Sequence, residues 1–292
     1  MSGRILLTGA TGFTGSFVVD ELKKRGAELA CLVRPTSDSS ALQAAGVSTV
    51  IGDINDVEQM TGLLRDFDTL VNVASIGFGA GPKLVKACEQ AGVSRAVFVS
   101  TTALFTNLNA QSKKVRVAAE EAIRSSSLDY TILRPTMIYG TPGDRNMVRL
   151  LRLIERYRVV PVFGSGESLQ QPVHVADVAW AIAEVIGRDC TVRKEYNISG
   201  AAPLTYNQVL EQAGEALGKR AVPVHLPLKP GVVVLAALRR WGLRTPVTDE
   251  QLLRLNEDKA FDHDSAREDF GYNPRTFRDG IASEVALMRG VA

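Results

Sequence analysis

The chain is 292 residues long, 45% hydrophobic and 23% charged, with 34 Lys and Arg against 32 Asp and Glu for a formal net charge of +2. This is an ordinary globular composition, without the strongly basic surface that a nucleic-acid partner would need. Three cysteines (Cys31, Cys88 and Cys190), odd in number and far apart, fit a reducing, cytoplasmic setting better than a disulfide framework. No basic-then-apolar leader precedes the first strand, so secretion is not expected. The longest apolar run, Val232 to Leu238, is too short to span a bilayer.

Arg4 to Thr8 reads as a short buried strand that breaks into Gly9-Ala10-Thr11-Gly12-Phe13-Thr14-Gly15. From Phe13 to Lys24, apolar Phe13, Phe17, Val18 and Leu22 are interleaved with Asp20, Glu21, Lys23 and Lys24, which predicts a helix. A strand entering a helix through three glycines is the first turn of a dinucleotide-binding βαβ unit. One glycine permits the tight turn, another lets a pyrophosphate approach the backbone, and the last lets helix and strand pack closely. The helix N-terminus adds free N–H groups and a positive dipole end.

Ala27 to Val33 predicts a second strand ending at Arg34-Pro35. A short helical stretch near Ala41 leads to a strand at Ser48 to Ile51 and then Gly52-Asp53. Val57 to Leu64 reads as a helix, Thr69 to Ala74 as a fourth strand, and Gly81 to Ala91 as a helix closed by Gly92. Ala96 to Ser100 is apolar on both faces, as a buried parallel strand should be. Val115 to Ile123 is helical, and Tyr130 to Leu133 is a sixth strand ending at Arg134-Pro135. Beyond the loop Thr141 to Asp144 come a basic amphipathic helix, Met147 to Tyr157, and a strand-like Gln171 to Val175. A helix from Asp177 to Ile186, with Asp177 as its N-cap, and a strand from Glu195 to Ile198 follow. Helices dominate after Pro203: Tyr206 to Leu217, Gly231 to Trp241 and Asp249 to Leu255. The expected fold is α/β, a Rossmann-type doubly wound parallel sheet over residues 1–140. A smaller, mainly helical, substrate-facing C-terminal lobe covers 141–292, with 171–200 returning to the core.

Nearly the whole chain resembles the extended or atypical branch of the short-chain dehydrogenase/reductase family. The likeness rests on Gly9-x-x-Gly12-x-x-Gly15, Gly52-Asp53, Val71-Asn72-Val73-Ala74 and Val99-Ser100-Thr101-Thr102. It continues in Leu133-Arg134-Pro135-x-x-Ile138-Tyr139-Gly140, Val173-His174-Val175-x-Asp177-Val178-Ala179 and the tail Asp264-Ser265-Ala266-Arg267-x-x-Phe270-Gly271-Tyr272-x-Pro274-Arg275. Epimerase/dehydratase-like enzymes, nitrogen-regulator-like proteins and an accessory subunit of respiratory complex I all belong to this circle.

A cofactor choice follows from charge. NAD-selecting members end the second strand with an acid on the adenosine ribose. Here that position is Val33, followed by Arg34, whose guanidinium suits a 2′-phosphate; this favours NADP(H), with NAD the alternative and a solvated loop arginine the plain reading. The resemblance places Asp53 at the adenine amino group and the backbone of Ala74 along the cofactor. For Asp53, a turn or helix cap is the plain reading. The full expected cofactor set is Gly9, Thr11, Gly12, Phe13, Thr14, Gly15, Arg34, Asp53, Ile54, Ala74 and Pro135.

Active members of the family use a Tyr with a Lys four residues later, the lysine lowering the phenol's pKa. The six tyrosines here are followed four places on by Arg134, Gly143, Pro161, Gly200, Leu210 and Thr276. Alignment through Ala118-Ala119-Glu120-Glu121 puts Ser112 in the tyrosine's place and Arg116 in the lysine's. A serine has no accessible phenolate-like state, and an arginine donates no proton at neutral pH. The substitutes are Thr102, at the place of the family's catalytic hydroxyl, and Lys113, with Lys114 beside it; a solvated helix N-terminus is the plain reading of both lysines. For His174 and Asp177 the structural reading is favoured, with Asp177 capping a helix. His225 and His263 lie far off, and no metal-ligand cluster is evident. The apolar segment 231–241, ending in Arg239-Arg240-Trp241, reads as a lid helix, with peripheral membrane contact as the alternative.

Two functions stand open. One is an NADP(H)-binding oxidoreductase or sugar-nucleotide epimerase/dehydratase-like enzyme with a small-molecule substrate, such as a nucleotide sugar, in which Thr102 polarises and Lys113 donates a proton. The other is a non-catalytic or weakly catalytic NAD(P)-binding regulatory or assembly protein. Oligomer formation is compatible with both.

Overall fold

The structure is a computed structural model that describes residues 3–107, 111–240 and 249–291. Its first half alternates strictly: β1 (Arg4–Thr8), α1 (Phe13–Lys24), β2 (Glu28–Val33), α2 (Ser40–Ala44), β3 (Ser48–Ile51), α3 (Val57–Leu64), β4 (Thr69–Asn72), α4 (Gly81–Ala91), β5 (Arg95–Val99), α5 (Gln111–Arg124) and β6 (Asp129–Pro135). The second half is less regular: β7 (Ile138–Tyr139), α6 (Met147–Tyr157), β8 (Val159–Phe163), β9 (Leu169–Gln170), β10 (Val173–His174), α7 (Val175–Ile186), β11 (Lys194–Ile198), β12 (Leu204–Thr205), α8 (Tyr206–Ala216), β13 (Val222–Leu226), α9 (Leu228–Arg240), α10 (Asp249–Leu255), α11 (Asp264–Phe270) and α12 (Phe277–Met288).

Seven strands form one parallel sheet in the order β11-β6-β5-β4-β1-β2-β3. Successive residues of a strand face opposite sides, so Ile5 and Leu7 enter one core while Leu6 enters the other. The first core packs α1 and α7 against the sheet through Val18, Leu22, Val178 and Ile182. The second packs α3 and α4 through Met60, Leu64, Leu84 and Cys88. A third, smaller core gathers Leu151 and Ile154 of α6, Leu210 and Ala213 of α8, and Ile281 and Val285 of α12. The chain winds outward from β1 to β3 and then returns to β4 on the other side of β1. The carboxyl ends of β1 and β4 therefore flank the crevice where a doubly wound sheet binds ligands.

Three local expectations are corrected. β4 stops at Asn72 and does not reach Ala74, because its end is tied down: Thr8 Oγ1 donates to Asn72 Oδ1 (2.6 Å) and Asn72 Nδ2 donates to the Ala74 carbonyl (2.9 Å). The strand-like 171–175 shrinks to β10, which pairs with β7. The N-cap of α7 is His174, whose Nδ1 accepts the Ala176 N–H at 3.2 Å; Asp177 sits inside the first turn and instead grips Arg275, with Oδ1 2.9 Å from the guanidinium. The lid or membrane segment forms α9, where Gly231 lies against the Phe163 ring; the side chains of 234–239, and Trp241, lie outside the described residues. Among the described residues no helix is long and apolar enough to cross a membrane.

A carboxyl pair joins the loop after β7 to α12. Glu284, 0% exposed, accepts the Gly140 N–H on Oε2 (3.0 Å) and stands beside Asp144. Asp144 spends its Oδ1 on the N–H groups of Asn146 and Met147 (2.8 Å each) at the start of α6. Burial, and then Asp144, push Glu284 up to about 9, so it carries a proton at neutral pH. The folded state thus holds a proton that the unfolded chain releases above the ordinary value of 4.5, and stability falls as pH rises toward 9. His174, pushed down to about 4 by burial and by Arg275, acts in the opposite direction but only below its ordinary value of 6.5. Lys259, pushed down to about 8 by burial, opposes this slope above pH 8. Between pH 7 and 9 the Glu284 contribution alone falls by about 2 kcal/mol. Glu284→Gln keeps the shape without the proton and should remove that contribution from the measured slope. Urea midpoints at both pH values for the two proteins check this, and equal slopes would refute a proton on Glu284.

Candidate active site at the carboxyl edge of the sheet

The glycine turn is built by backbone approach. Gly9 has φ +77°, and a Cβ there would lie 2.6 Å from the Ala74 nitrogen. A Cβ on Gly15 would lie 2.0 Å from the Gly9 carbonyl oxygen, and the Gly12 N–H donates to that same oxygen at 3.0 Å. α1 opens at Gly12 with no side chain capping it, so its first-turn N–H groups face the crevice. This cradle, closed to any Cβ and rich in N–H donors, fits a dinucleotide diphosphate. Thr11, Gly12 and Phe13 also line a cavity of about 510 Å³ that extends to Asp38, Ala41 and Thr141. Asp38 is an acid that lies beyond the strand end inspected in the sequence.

Arg34 is exposed just past β2 and close enough to Asp53 to help keep that carboxylate ionised. The larger effect on Asp53 is local: its Oδ1 accepts the Asn55 N–H (2.9 Å) and Nδ2 (3.1 Å), which holds its pKa down. Asp56, not Asp53, caps α3, accepting the Gln59 N–H at 3.0 Å. Ile54 packs beside them on the second core.

A second cavity, of about 210 Å³, lies where β4, β5 and β6 end. Thr14, Val73, Ser75, Ser100, Thr101, Arg116, Pro135 and Thr136 are among its walls. Ser100 is buried and its hydroxyl has no partner in the protein, although its N–H donates to the Leu133 carbonyl at 2.7 Å. Thr101 Oγ1 accepts the Ala103 N–H (3.2 Å) and so starts a short 3₁₀ turn. That turn carries Thr102 away from the walls: it is buried and donates to the Pro135 carbonyl at 3.4 Å. Lys113 Nζ donates to the Thr106 carbonyl (2.6 Å) and, like exposed Lys114, is not among the walls. The side chain of Ser112 lies outside the described residues.

No phenol reaches this cavity. Tyr139, Tyr196 and Tyr272 are buried elsewhere, and burial pushes each of them up. His174 stands edge-on to Tyr139, with ring centres 5.4 Å apart, and is also absent from the walls. The polar wall groups are hydroxyls and the Arg116 guanidinium, none of which gains or loses a proton near neutrality. Sequence reasoning reached the run Ser100-Thr101-Thr102 but chose the third hydroxyl, because the twist of the 3₁₀ turn is not written locally.

Behind the cavity an ion network clamps α5 to the sheet. Glu120, 1% exposed, receives Arg134 Nε (3.0 Å) and Nη2 (2.7 Å) from β6 and Arg124 Nη2 (2.7 Å) from its own helix. Glu195 of β11 completes the network, receiving Arg124 Nε at 2.5 Å and a bond from Arg134.

The family described as NAD(P)H-binding matches residues 9–189, from the glycine turn to the end of α7 and slightly beyond, well over half of the chain. The chain belongs to the NAD(P)H-binding family. Within it, this NAD(P)H-binding protein is of the extended or atypical short-chain dehydrogenase/reductase kind. It is 25% identical over 293 residues to the mitochondrial NADH dehydrogenase [ubiquinone] 1 alpha subcomplex subunit 9 of Arabidopsis thaliana, covering 93% of this chain and 72% of that one. It is 25% identical over 304 residues to the ceramide reductase of Caulobacter vibrioides, covering 99% and 92%. Its fold is similar to that of the UDP-glucose 4-epimerase of Thermus thermophilus in complex with NAD, with a TM-score of 0.74, 22% identity and coverage of 99% and 100%.

Proposed function

We propose that this protein is an NADP(H)-dependent reductase of a carbonyl-type small molecule, with NADP(H) preferred through Arg34. The carrying observation is the chemistry of the 210 Å³ cavity: it holds an unpartnered buried hydroxyl, Ser100, and a cation, Arg116, and among the described residues no wall group that takes up a proton at neutral pH. When held on the glycine turn, the reduced cofactor would supply the hydride. Ser100 then donates a hydrogen bond to the acceptor oxygen, which stabilises the negative charge that grows there. Water supplies the proton after the charge has formed. Epimerisation or dehydration of a nucleotide sugar would begin differently, by removing a proton from a substrate hydroxyl, and no wall group serves as that base. Thr102 and Lys113 act by positioning: Thr102 tethers Pro135 and Lys113 tethers Thr106. The ceramide reductase likeness over 99% of the chain supports the reducing direction. The three free cysteines, two of them buried, accord with a cytoplasmic site of action.

The same missing base favours the second reading, an NAD(P)-binding regulatory or assembly protein. One experiment separates the two. Purified protein with NADPH is challenged with aldehydes, ketones and UDP-glucose, and loss of NADPH absorbance is followed. Turnover of a carbonyl, reduced about tenfold or more by Ser100→Ala, is the expected outcome. NADPH binding without turnover of any acceptor would leave the regulatory reading. In parallel, wild type should bind NADP more tightly than NAD, and Arg34→Ala should erase most of that difference; equal affinities in wild type would sink the NADP assignment.

A further inference from the structure

Arg116 stands where the family's lysine belongs, yet its surroundings differ from those of a ribose-binding lysine. Its side chain leaves α5, lies against the backbone of Gly77 and forms part of the 210 Å³ cavity. It is only partly exposed, and among the described residues it has no hydrogen bond or ion pair. Burial and, secondarily, the like charge of Arg254 on α10 push its pKa down. Two other charges on that side are already engaged. Glu257 gives its two oxygens to Thr106 Oγ1 (2.6 Å) and the Asn107 N–H (2.8 Å). Lys259 donates to Gln170 Oε1 (3.3 Å) and to the Arg254 carbonyl. Among the described residues no carboxylate lines the cavity.

A half-desolvated guanidinium with no anion beside it among the described residues is an unfavourable arrangement, and one that a bound oxyanion relieves. The diphosphate of the cofactor would have the N–H groups of the glycine turn and the start of α1 as its partners, although Thr14 of that turn also borders the cavity. We infer that Arg116 determines specificity by pairing with an oxyanion, a carboxylate or a phosphate, on the molecule that binds beside the nicotinamide. This rests on the reading of the cavity as the acceptor site. The guanidinium fork suits two-point recognition of either group, and Ser100 offers a neighbouring hydroxyl.

The test is calorimetric titration of the NADP-loaded protein with benzoate, phenyl phosphate and neutral benzamide, in wild type, Arg116→Gln and Arg116→Lys. Wild type should bind at least one anion about tenfold more tightly than benzamide, and the better of the two names the oxyanion. Arg116→Gln should abolish the preference while binding NADP within about threefold of wild type, and Arg116→Lys should restore part of it. Thermal melts establish that the variants are folded. Equal binding of the three probes by wild type, or a preference that survives in Arg116→Gln, would overturn the inference. So would a parallel loss of NADP affinity, which would make Arg116 a cofactor residue. Failure of wild type to bind NADP at all would instead defeat the functional reading beneath it.

Discussion

Gly15→Ala is expected to remove NADPH binding almost entirely, weakening it about 100-fold or more. The added Cβ would stand 2.0 Å from the Gly9 carbonyl oxygen, 2.7 Å from its carbon and 2.8 Å from Ala10 Cα. All three are backbone atoms, so no side chain can swing aside. Either α1 retreats from the turn or the turn opens, and both movements spread the N–H groups that would meet the diphosphate. Overpacking of this severity costs about 3 kcal/mol, to be divided between folding and binding. Two comparisons make the result specific. Gly12→Ala meets the Gly9 carbonyl at 3.2 Å and should be milder, whereas Gly62→Ala within α3 meets nothing within 4 Å and should leave binding unchanged. NADPH fluorescence titrations and thermal melts of the three variants provide the readout. A Gly15→Ala protein that binds NADPH within about threefold of wild type would show that the turn is not the phosphate cradle.

Arg134→Met should be the most damaging single change outside the glycine turn, lowering stability by about 3 kcal/mol. Glu120 is buried, and the substitution leaves it with Arg124 alone while Glu195 loses one of its two partners. The cost comes less from the lost attraction than from a carboxylate stranded away from water. It follows that Arg134→Met combined with Glu120→Leu should recover much of the loss, since the stranded charge has then gone. Urea unfolding of both variants checks this, and a single variant within about 1 kcal/mol of wild type would show the network to be dispensable. The site should feel the change as well. The network fixes α5, and α5 carries Arg116, so the single variant should lose anion discrimination before it loses NADPH.

The parts of this protein that could be read from its residues share a cause: they are set by neighbours in the chain. Apolar runs and helical periodicity located β1, α1, β3, α3, α4, α6 and α10 at their observed bounds, because both patterns report which face of a segment is hidden. Gly9, Gly12 and Gly15 announced a dinucleotide for the same reason, the contacts they permit lying within a few residues. The smaller cavity obeyed a different logic. Which of Ser100, Thr101 and Thr102 enters the cavity depends on how the 3₁₀ turn after β5 settles against Pro135 on β6. His174 displaced Asp177 as the cap of α7 because Arg275, from the far end of the chain, claims the aspartate. Glu284 and Gly140, 144 residues apart, meet only when α12 packs on the loop after β7. Arg116 marked a departure from the family in the sequence, but its lack of a partner among the described residues emerged only once α5 brought it to the cavity where β4, β5 and β6 end. Local pattern therefore carried the fold and the cofactor, whereas the distribution of charge and hydrogen bonds at the reacting end was decided by contacts between distant segments, each side chain's solvation being fixed by whatever the fold brings beside it.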